Sequence, residues 1–541
     1  MDNTIIRKNT SAVNLTALKK ICNDLTKSSK DAAPMIFDHI SSVYSINDIL
    51  DATISLQNDD KYAPTLLGIL AHLLVEYEWK YQSDVISKAS FKSLDKTFAL
   101  FVSKVTNKMA LTLLMHLIQD SRLPWSDKVK DTTFNALAHH QDNDNDTERQ
   151  ELNDRPPEEI AQQMIEELGE INALKTFISH LERMDIEAQL HMISELLANN
   201  IAMITEMFAL MLVHTEKKVA YQIATSICYC IDERGLTITP KALSRIMLAK
   251  NLLKRGSKQY KHIEALFMYC RKAGFNEYYA SNPTIKSIFA TTPDGSGSSG
   301  ITIIYSKNKK HHMAGFVLKL AVGLKDAYVS EEMAASKAKA YIQELVESPS
   351  INLQEVDKSH LQTILEIGLW LSHKNNQHID FDTFAILEAL DIYTIAPKKL
   401  DIESDSLLLK EAISPYINLD DKFIKQSYAR SDEFYDRFEH LTSSWFDYNQ
   451  EMIEIVQQTS NDQETYKRFK KYFLRERCDY WASILYLSAL LYTHTNKAKH
   501  RQLTGDLLLI VDALIDPKLK KKHPFILDLI EESYHATIHQ A

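Results

Sequence analysis

Residues 216–232 read EKKVAYQIATSICYCID, and this stretch decides the class of fold that the sequence predicts. Its apolar side chains recur at spacings of three and four, so a helix would gather them on one face. The stretch before it, residues 201–214, is apolar on almost every side and must be covered by neighbouring helices. Together the two stretches predict consecutive helices that bury one another.

The same pattern continues on both sides of this stretch. Between Asp185 and Gly274, five helical segments begin near residues 185, 200, 216, 240 and 257, and alternate segments begin 31, 40 and 41 residues apart. These periods are close to those of HEAT and armadillo repeats, in which helical pairs stack because one pair cannot bury its own apolar face. We therefore expect an irregular HEAT-like α-solenoid of stacked helical pairs. The alternative is an irregular helical bundle without a true repeat.

The composition favours a mainly α protein. Only 12 glycines and 13 prolines occur among the 541 residues, although sheets and tight turns depend on both residue types. An apolar fraction of 45% with 25% charged residues argues against general disorder. The net charge of −10 disfavours a general affinity for nucleic acid or for an anionic membrane.

The sequence also predicts a cytoplasmic protein without a membrane anchor. Its first residues, MDNTIIRKNTSAV, lack the apolar core of a signal peptide. The longest apolar runs, Trp481–Tyr492 and Leu111–Ile118, are shorter than the roughly 20 residues that cross a bilayer. Five scattered cysteines, an odd number, fit a reducing compartment better than a disulfide framework.

Two breaks interrupt the helical pattern. Residues 141–159 carry eight acidic residues, two arginines and almost no apolar side chain, which is typical of a solvated linker. Within 282–328 the period changes to two, so Ile301–Tyr305 and Met313–Leu320 are expected to form two strands joined by a basic turn over 306–312. The fold is therefore expected to be mainly α with one small antiparallel β insertion.

These breaks predict five parts of the chain. They are an N-terminal helical lobe (1–140), an acidic linker (141–159), HEAT-like helical repeats (160–290), a β-hairpin insertion (291–329) and a C-terminal helical lobe (330–541).

No motif in the sequence carries a recognisable catalytic or metal site. Residues 295–300 read GSGSSG and fit G-x-G-x-x-G, but a dinucleotide fold needs a strand before that loop and a helix after it. A kinase loop would need an HRD and a DFG motif downstream, and neither occurs. His535 and His539 share a helical face without a third ligand, and Cys228 and Cys230 lie on different faces. We expect no metal and no cofactor.

Two groups of positive charge could contact anions. The first crowds the expected hairpin turn and consists of Lys307, Lys309, Lys310, His311 and His312. The second lies between the last two expected helices and consists of Lys518, Lys520, Lys521, Lys522 and His523. Basic turns can contact phosphates, but neither group has the interleaved aromatic residues of a single-strand platform. The alternative is that both are ordinary solvated turns.

The segment Asp294–Gly297 (DGSG), the strand after it and Leu318–Ala327 (LKLAVGLKDA) together resemble a pattern of large uncharacterised bacterial proteins. In that pattern a D-G-S-G turn and a segment of the form K-x-G-x-G-x-(K/R)-D-A follow HEAT-like helices. Ser444–Phe446 and Arg475–Trp481 are similar to segments of the same proteins, so the resemblance covers roughly residues 200–541.

This resemblance implies the fold and a bacterial origin, and no known activity. The chain departs from the pattern at Ala321, where a glycine is expected. Within the segment, Lys319, Lys325 and Asp326 are candidate binding residues. The alternative is that they form a salt-bridged hairpin packed on the helices.

The function that these observations predict is that of a non-enzymatic interaction or scaffold protein, whose extended helical surface holds a protein partner. One alternative is an anion or RNA binder that uses the basic hairpin tip. A more remote alternative is an enzyme whose catalytic residues are scattered over several helices. The sequence leaves open the oligomeric state, and whether residues 294–328 form a binding site or a structural clasp.

Overall fold

The structure is a computed structural model, and it describes most of the chain. The described residues are 15–27, 40, 44–57, 59, 62–82, 86–121, 123–126, 128–133, 136, 159, 162, 163, 165 and 169–540, apart from 331, 348–351, 459–461 and 496–499. The acidic linker expected over 141–159 lies outside them, except for its last residue. The chain divides into two compact units, Met1–Arg155 and Pro156–Ala541.

The first unit is helical in its described parts. Its helices are α1 (Leu15–Lys27), α2 (Ile46–Leu56), α3 (Ala63–Gln82), α4 (Lys88–Val102) and α5 (Lys108–Asp120). Ser45, Ser87 and Asn107 begin α2, α4 and α5, because each side chain accepts a hydrogen bond from the backbone N–H three residues later. Phe98 and Trp125 pack in the core with their ring centroids 4.7 Å apart.

The second unit begins with the helices that the sequence predicts. They are α6 (Glu170–Leu181), α7 (Ile186–Ala198), α8 (Ala202–Leu210), α9 (Lys217–Arg234), α10 (Pro240–Leu252) and α11 (Lys258–Lys272). Asp185, Thr239 and Ser257 cap α7, α10 and α11, and Gly235, at a φ of 66°, ends α9. α7 packs against α9 and α9 against α11, while α8 packs against α10. The five expected helices are confirmed, and a HEAT-like solenoid stays a prediction.

A five-stranded antiparallel sheet follows these helices. Its strands are β1 (Thr284–Thr291), β2 (Ser298–Lys307), β3 (Lys310–Lys319), β4 (Gly323–Val329) and β5 (Leu353–Val356), in the order β4-β3-β2-β1-β5. One face, which includes Ile301, Ile303 and Phe316, is buried in the helical core. On the sheet, the ring of Tyr328 lies over Gly315, where a Cβ atom would come within 2.6 Å of that ring.

The sheet is larger than the sequence predicts. The turn expected over 306–312 is only two residues long, Asn308 and Lys309, at φ values of 51° and 66° that suit a type I′ hairpin turn. The polar side chains on either side of it continue the ladder, because backbone pairing does not require apolar side chains. β1, β4 and β5 are absent from the prediction. β5 lies inside the expected helical lobe 330–541, and its four residues are too few for a clear period of two.

The remaining elements are mostly helices, and the class is mainly helical as expected. They are α12 (Ala335–Glu347), α13 (Lys358–Lys374), α14 (Phe381–Ala389), α15 (Ile402–Ile413), α16 (Asp421–Arg430), α17 (Phe434–Arg437), α18 (Glu439–Thr442), α19 (Gln450–Gln457), α20 (Asp462–Glu476), α21 (Cys478–Thr493), α22 (His500–Ile515) and α23 (Pro524–Gln540). The core of the second unit runs from Leu174 to Tyr534 and includes most of α21. None of the described helices is both long enough and apolar enough to cross a membrane.

Candidate functional site

The hairpin tip brings its lysines together, but two of them already contact other side chains of the chain. Lys307 and Lys310 are paired across the two-residue turn. The ammonium group of Lys310 forms an ion pair with Glu332. The ammonium group of Lys307 lies 5.8 Å from the ring centroid of Tyr279, within the range of a cation–π contact. Lys309 is exposed at the tip and makes no such contact with the residues that the structure describes.

The two histidines of the tip have different surroundings. The ring of His312 stacks on Tyr305, with centroids 5.2 Å apart and an interplanar angle of 17°. The backbone carbonyl of His311 accepts a hydrogen bond of 2.9 Å from the N–H of Met333. Because the two histidines are consecutive residues of β3, their side chains point to opposite faces of the sheet, so they are not placed as a ligand pair.

Lys319, Lys325 and Asp326 lie far from the hairpin tip. Lys319 ends β3, whose ten residues span about 30 Å at 3.4 Å per residue. Lys325 pairs with Val317 in the ladder, and Asp326, at a φ of 53°, lies where the register between β3 and β4 shifts. The eight candidate residues therefore do not form one site. The register shift between β3 and β4 lies at Asp326, five residues after Ala321, the position at which the sequence departs from the family pattern.

The D-G-S-G turn meets two other segments that the sequence singles out. The N–H of Gly295 donates to the carbonyl of Ser444 at 2.9 Å, and the indole N–H of Trp445 donates to the carbonyl of Pro293 at 2.9 Å. The hydroxyl of Tyr480 donates to the carbonyl of Gly295 at 3.3 Å. We call this contact between residues 293–297, 444–447 and 477–481 the clasp. It joins the sheet to the C-terminal helices.

A buried ion pair lies at the centre of the clasp. The carboxylate of Asp447 accepts hydrogen bonds from Nε of Arg477 at 2.6 Å and from the indole N–H of Trp481 at 3.0 Å. The guanidinium of Arg477 also lies 4.2 Å from the ring centroid of Tyr480. Burial, together with the charge of Asp447, raises the pKa of Tyr480. These groups satisfy one another, which supports a structural role for the clasp.

A second buried charge cluster has no counterpart in the sequence prediction. Arg245 on α10 is 1% exposed, and its guanidinium donates to Glu170 and to Glu388 at 2.8 Å each. Lys241 lies 2.9 Å from the same Glu170. Burial opposes the charge of Glu170, but the hydrogen bond and the charge of Arg245 outweigh it and lower the pKa of Glu170 to about 2. The signal in the sequence is an arginine at a helical spacing of three or four from the apolar residues Ala242, Leu248 and Ala249.

A serine, a histidine and an aspartate meet at the start of α13, but they are not arranged as a catalytic triad. The hydroxyl of Ser359 and the carboxylate of Asp357 both lie 3.1 Å from the same ring nitrogen of His494, Nδ1. A triad uses the two ring nitrogens separately, so that the histidine accepts a proton on one side and is oriented on the other. Asp357 also caps α13 by accepting the N–H of His360 at 2.9 Å.

The histidines and cysteines that the sequence raises as ligands lie apart. Among the residues that the structure describes, no group of three His, Cys, Asp or Glu side chains could hold a metal ion. His535 lies 3.9 Å from Glu531 on its own helix. Burial raises the pKa of Cys228 and of Cys230, which keeps both as protonated thiols.

The C-terminal helices expose several large apolar side chains. On α15, Leu407 is 58% and Leu408 is 60% exposed, and Tyr416 after the helix is 63% exposed. On α16, Ile424 and Tyr428 are each 44% exposed. All five lie within 22 residues of the chain. Single exposed apolar residues are ordinary, whereas contiguous patches of them are typical of interaction surfaces.

The orientation of α15 is fixed by its other face. Leu409 and Ile413 are buried in the core, and Lys410 forms an ion pair with Asp512 of α22. Because successive residues of a helix are 100° apart, this leaves Leu407 and Leu408 toward the solvent. Sequence periodicity alone does not separate three adjacent leucines into buried and exposed ones.

The fold is thus a mainly helical one with a single small antiparallel sheet. Parts of it match known families. Residues 280–398, which contain the sheet, match a domain of unknown function (DUF7401). Residues 409–538 match the Y4lR C-terminal helical domain.

One curated relative also matches. It is "Uncharacterized protein y4lR" of Sinorhizobium fredii (strain NBRC 101917 / NGR234), which is 24% identical over 221 residues. The match covers 40% of this chain and 41% of the length of the relative. No solved structure matches. The expected similarity to uncharacterised bacterial proteins is confirmed, while the HEAT-like repeats and the specific motifs stay predictions.

Proposed function

We propose that the protein is a non-enzymatic interaction or scaffold protein, which binds a protein partner through the exposed side of α15. One observation carries this proposal, namely the exposure of Leu407, Leu408 and Tyr416 beside a well-buried helical core. Removing a leucine side chain from water is favourable by about 1.5–3 kcal/mol, so a partner that covers these residues gains affinity from each of them. Large exposed apolar groups of this kind are typical of protein interfaces.

We further propose that α7–α11 are HEAT-like stacked pairs. The contacts of α7 with α9, of α9 with α11, and of α8 with α10 support two layers that grow along the chain. Such a stack offers a long surface to a partner. Tyr229 on α9 and Met268 on α11 are exposed and could extend it.

Binding of an anion or of RNA by the hairpin tip has weaker support. A phosphate at the tip would have to compete with Glu332 for Lys310 and with the ring of Tyr279 for Lys307. The net charge of −10 also repels a polyanion at long range.

The proposal is tested by changing one exposed leucine. We expect Leu408→Glu to remove at least one protein from the set that copurifies with the intact chain. With that protein purified, we expect the dissociation constant to rise by about tenfold or more, because a buried charge would replace an apolar contact.

Leu100→Glu provides a matched control, since Leu100 is 61% exposed on α4 of the first unit. This variant should retain every partner. The proposal is wrong if the intact chain and Leu408→Glu bind the same proteins with equal affinity, or if Leu100→Glu loses the same protein.

A further inference from the structure

The loop between α22 and α23 carries four lysines whose ammonium groups have no ion-pair partner among the described residues. Lys518, Lys521 and Lys522 are exposed, and Lys520 is half-buried. Within the described residues, none of these four ammonium groups forms an ion pair with a carboxylate. Asp516 lies nearby but uses its carboxylate to accept the N–H of Lys518 at 2.7 Å and that of Leu519 at 2.9 Å. We call residues 518–522 the basic loop.

Carboxylates without a lysine or arginine partner lie beside the basic loop. We call them the acidic cluster: Asp432, Asp436, Asp528, Glu531 and Glu532. In the described part of the chain, the one cation within 4 Å of any of them is His535, which lies 3.9 Å from Glu531. Burial and the repulsion of the other four carboxylates raise the pKa of Asp528 to about 6. The cluster is therefore short of positive charge.

Tyr428 connects the two charged surfaces. Its hydroxyl donates to the carbonyl of Lys522 at 2.9 Å, and Asp432 follows four residues later in the short 3-10 turn Ser431–Glu433 after α16. On the other side, α23 begins at Pro524, two residues after the basic loop, and carries Asp528 one turn later. Tyr428 is exposed there, as are Leu519 of the basic loop and Ile424 one turn earlier on α16. The basic loop and the acidic cluster thus lie on either side of Tyr428.

We infer that two copies of the chain associate about a two-fold axis, with the basic loop of each copy against the acidic cluster of the other. A surface whose adjacent halves carry opposite charges is complementary to its own copy after a two-fold rotation. The exposed side chain of Tyr428 then lies near the centre of the contact, where burial is favourable.

A second copy fits this surface better than a polyanion does. A membrane or a nucleic acid presents negative charge to the whole surface, so the acidic cluster would be repelled wherever the basic loop is attracted. A second copy instead sets lysines against carboxylates on both halves of the surface. This inference is independent of the proposed function, which uses the exposed side of α15.

The first test measures the molar mass of the full chain by sedimentation equilibrium, from about 1 to about 100 µM protein. We expect a dimer that dissociates as the protein is diluted. We also expect weaker association in 1 M than in 0.1 M salt, because the screening length falls from about 10 Å to about 3 Å. A chain that stays monomeric over this range overturns the inference.

The second test changes the charges. Lys521→Glu with Lys522→Glu takes the net charge of the four lysines of the basic loop from +4 to 0, and Glu531→Lys with Glu532→Lys takes that of the five carboxylates of the acidic cluster from −5 to −1. Each double variant should associate more weakly alone, with a dissociation constant raised by about tenfold or more, because most of the attraction between the two surfaces is lost. An equimolar mixture of the two should associate more tightly than either variant alone, because the unaltered acidic cluster of one copy then meets the unaltered basic loop of the other.

Circular dichroism spectra of both double variants should match that of the intact chain, since the changed residues lie on the surface. Lys307→Glu with Lys309→Glu is the matched control, since it makes the same change of charge at the hairpin tip and should leave the dimer intact. The inference is overturned if either double variant dimerises like the intact chain, if the mixture associates no more tightly than either variant alone, or if the control also abolishes association.

Discussion

At the scale of single residues, the surroundings of two aspartates give them different properties. Asp447 is buried, yet Arg477 and Trp481 donate hydrogen bonds to its carboxylate, which keeps the charge satisfied. Asp528 is only half-buried but lies among other carboxylates and has no such donor among the described residues. Asp447 therefore joins the segments of the clasp. Asp528 stabilises the fold better when it is protonated.

We expect Asp528 by itself to favour the folded state in mildly acidic solution. Its pKa is about 6 in the folded chain, against an ordinary value of 3.8, so the folded state binds a proton more readily than the unfolded state. The contribution of Asp528 to the free energy of unfolding should rise as the pH falls from 7 to 5, whereas His360 and His523, whose pKa values burial lowers to about 3 and about 4, act in the opposite direction. We expect a gain of about 1 kcal/mol, because solvent screens a group that is partly exposed.

Urea unfolding of the intact chain and of Asp528→Asn, each at pH 7 and pH 5, measures this effect. Asp528→Asn should be the more stable of the two at pH 7, and the difference should shrink at pH 5, where Asp528 is mostly protonated. A difference that does not change with pH contradicts the assignment.

At the scale of elements, the clasp shows why the β1–β2 turn contains glycine. The backbone of Gly295 lies against the segment Ser444–Phe446 so closely that a Cβ atom there would be 2.2 Å from the carbonyl oxygen of Phe446. A backbone atom cannot move aside as the end of a long side chain can. The sheet and the C-terminal helices therefore fit together only if residue 295 has no side chain.

Gly295→Ala should therefore destabilise the protein. We expect a loss of about 2 kcal/mol in the free energy of unfolding, which is typical when an extra methyl group is forced into a packed contact. Gly300→Ala is the matched control, because a Cβ atom there would find its nearest neighbour, Oγ1 of Thr291, at 3.7 Å. Urea unfolding measures both variants. Equal effects would show that Gly295 has no special packing role.

At the scale of the whole molecule, buried charges connect parts of the second unit that are distant in sequence. The hydrogen bonds of Arg245 join α10 to Glu170 on α6 and to Glu388 on α14, 75 and 143 residues away. The core that surrounds them runs continuously from Leu174 to Tyr534. The helices that precede the sheet in the sequence and those that follow it therefore share one packed core.

Arg245→Met should therefore have a large effect on the stability of this unit. We expect the free energy of unfolding to fall by about 3–5 kcal/mol, because the change leaves Glu170 and Glu388 buried without their guanidinium partner. Lys241→Met serves as the comparison and should cost about 1 kcal/mol or less, since Lys241 is partly exposed. Thermal and urea unfolding would show the difference. A similar small effect from both variants would mean that the cluster does not hold the unit together.

The sequence by itself determined the mainly helical class and most helix positions between 185 and 274, because period, capping residues and glycine ends act within a few neighbouring residues. It also placed a β element near residues 301–320. Only the tertiary structure decided that this element has five strands, that residues 293–297 meet 444–447 and 477–481, and that Lys310 is already paired with Glu332. It also decided which leucines of α15 are exposed. The physical reason is that such contacts depend on which surfaces of distant segments meet, and local periodicity carries no information about that.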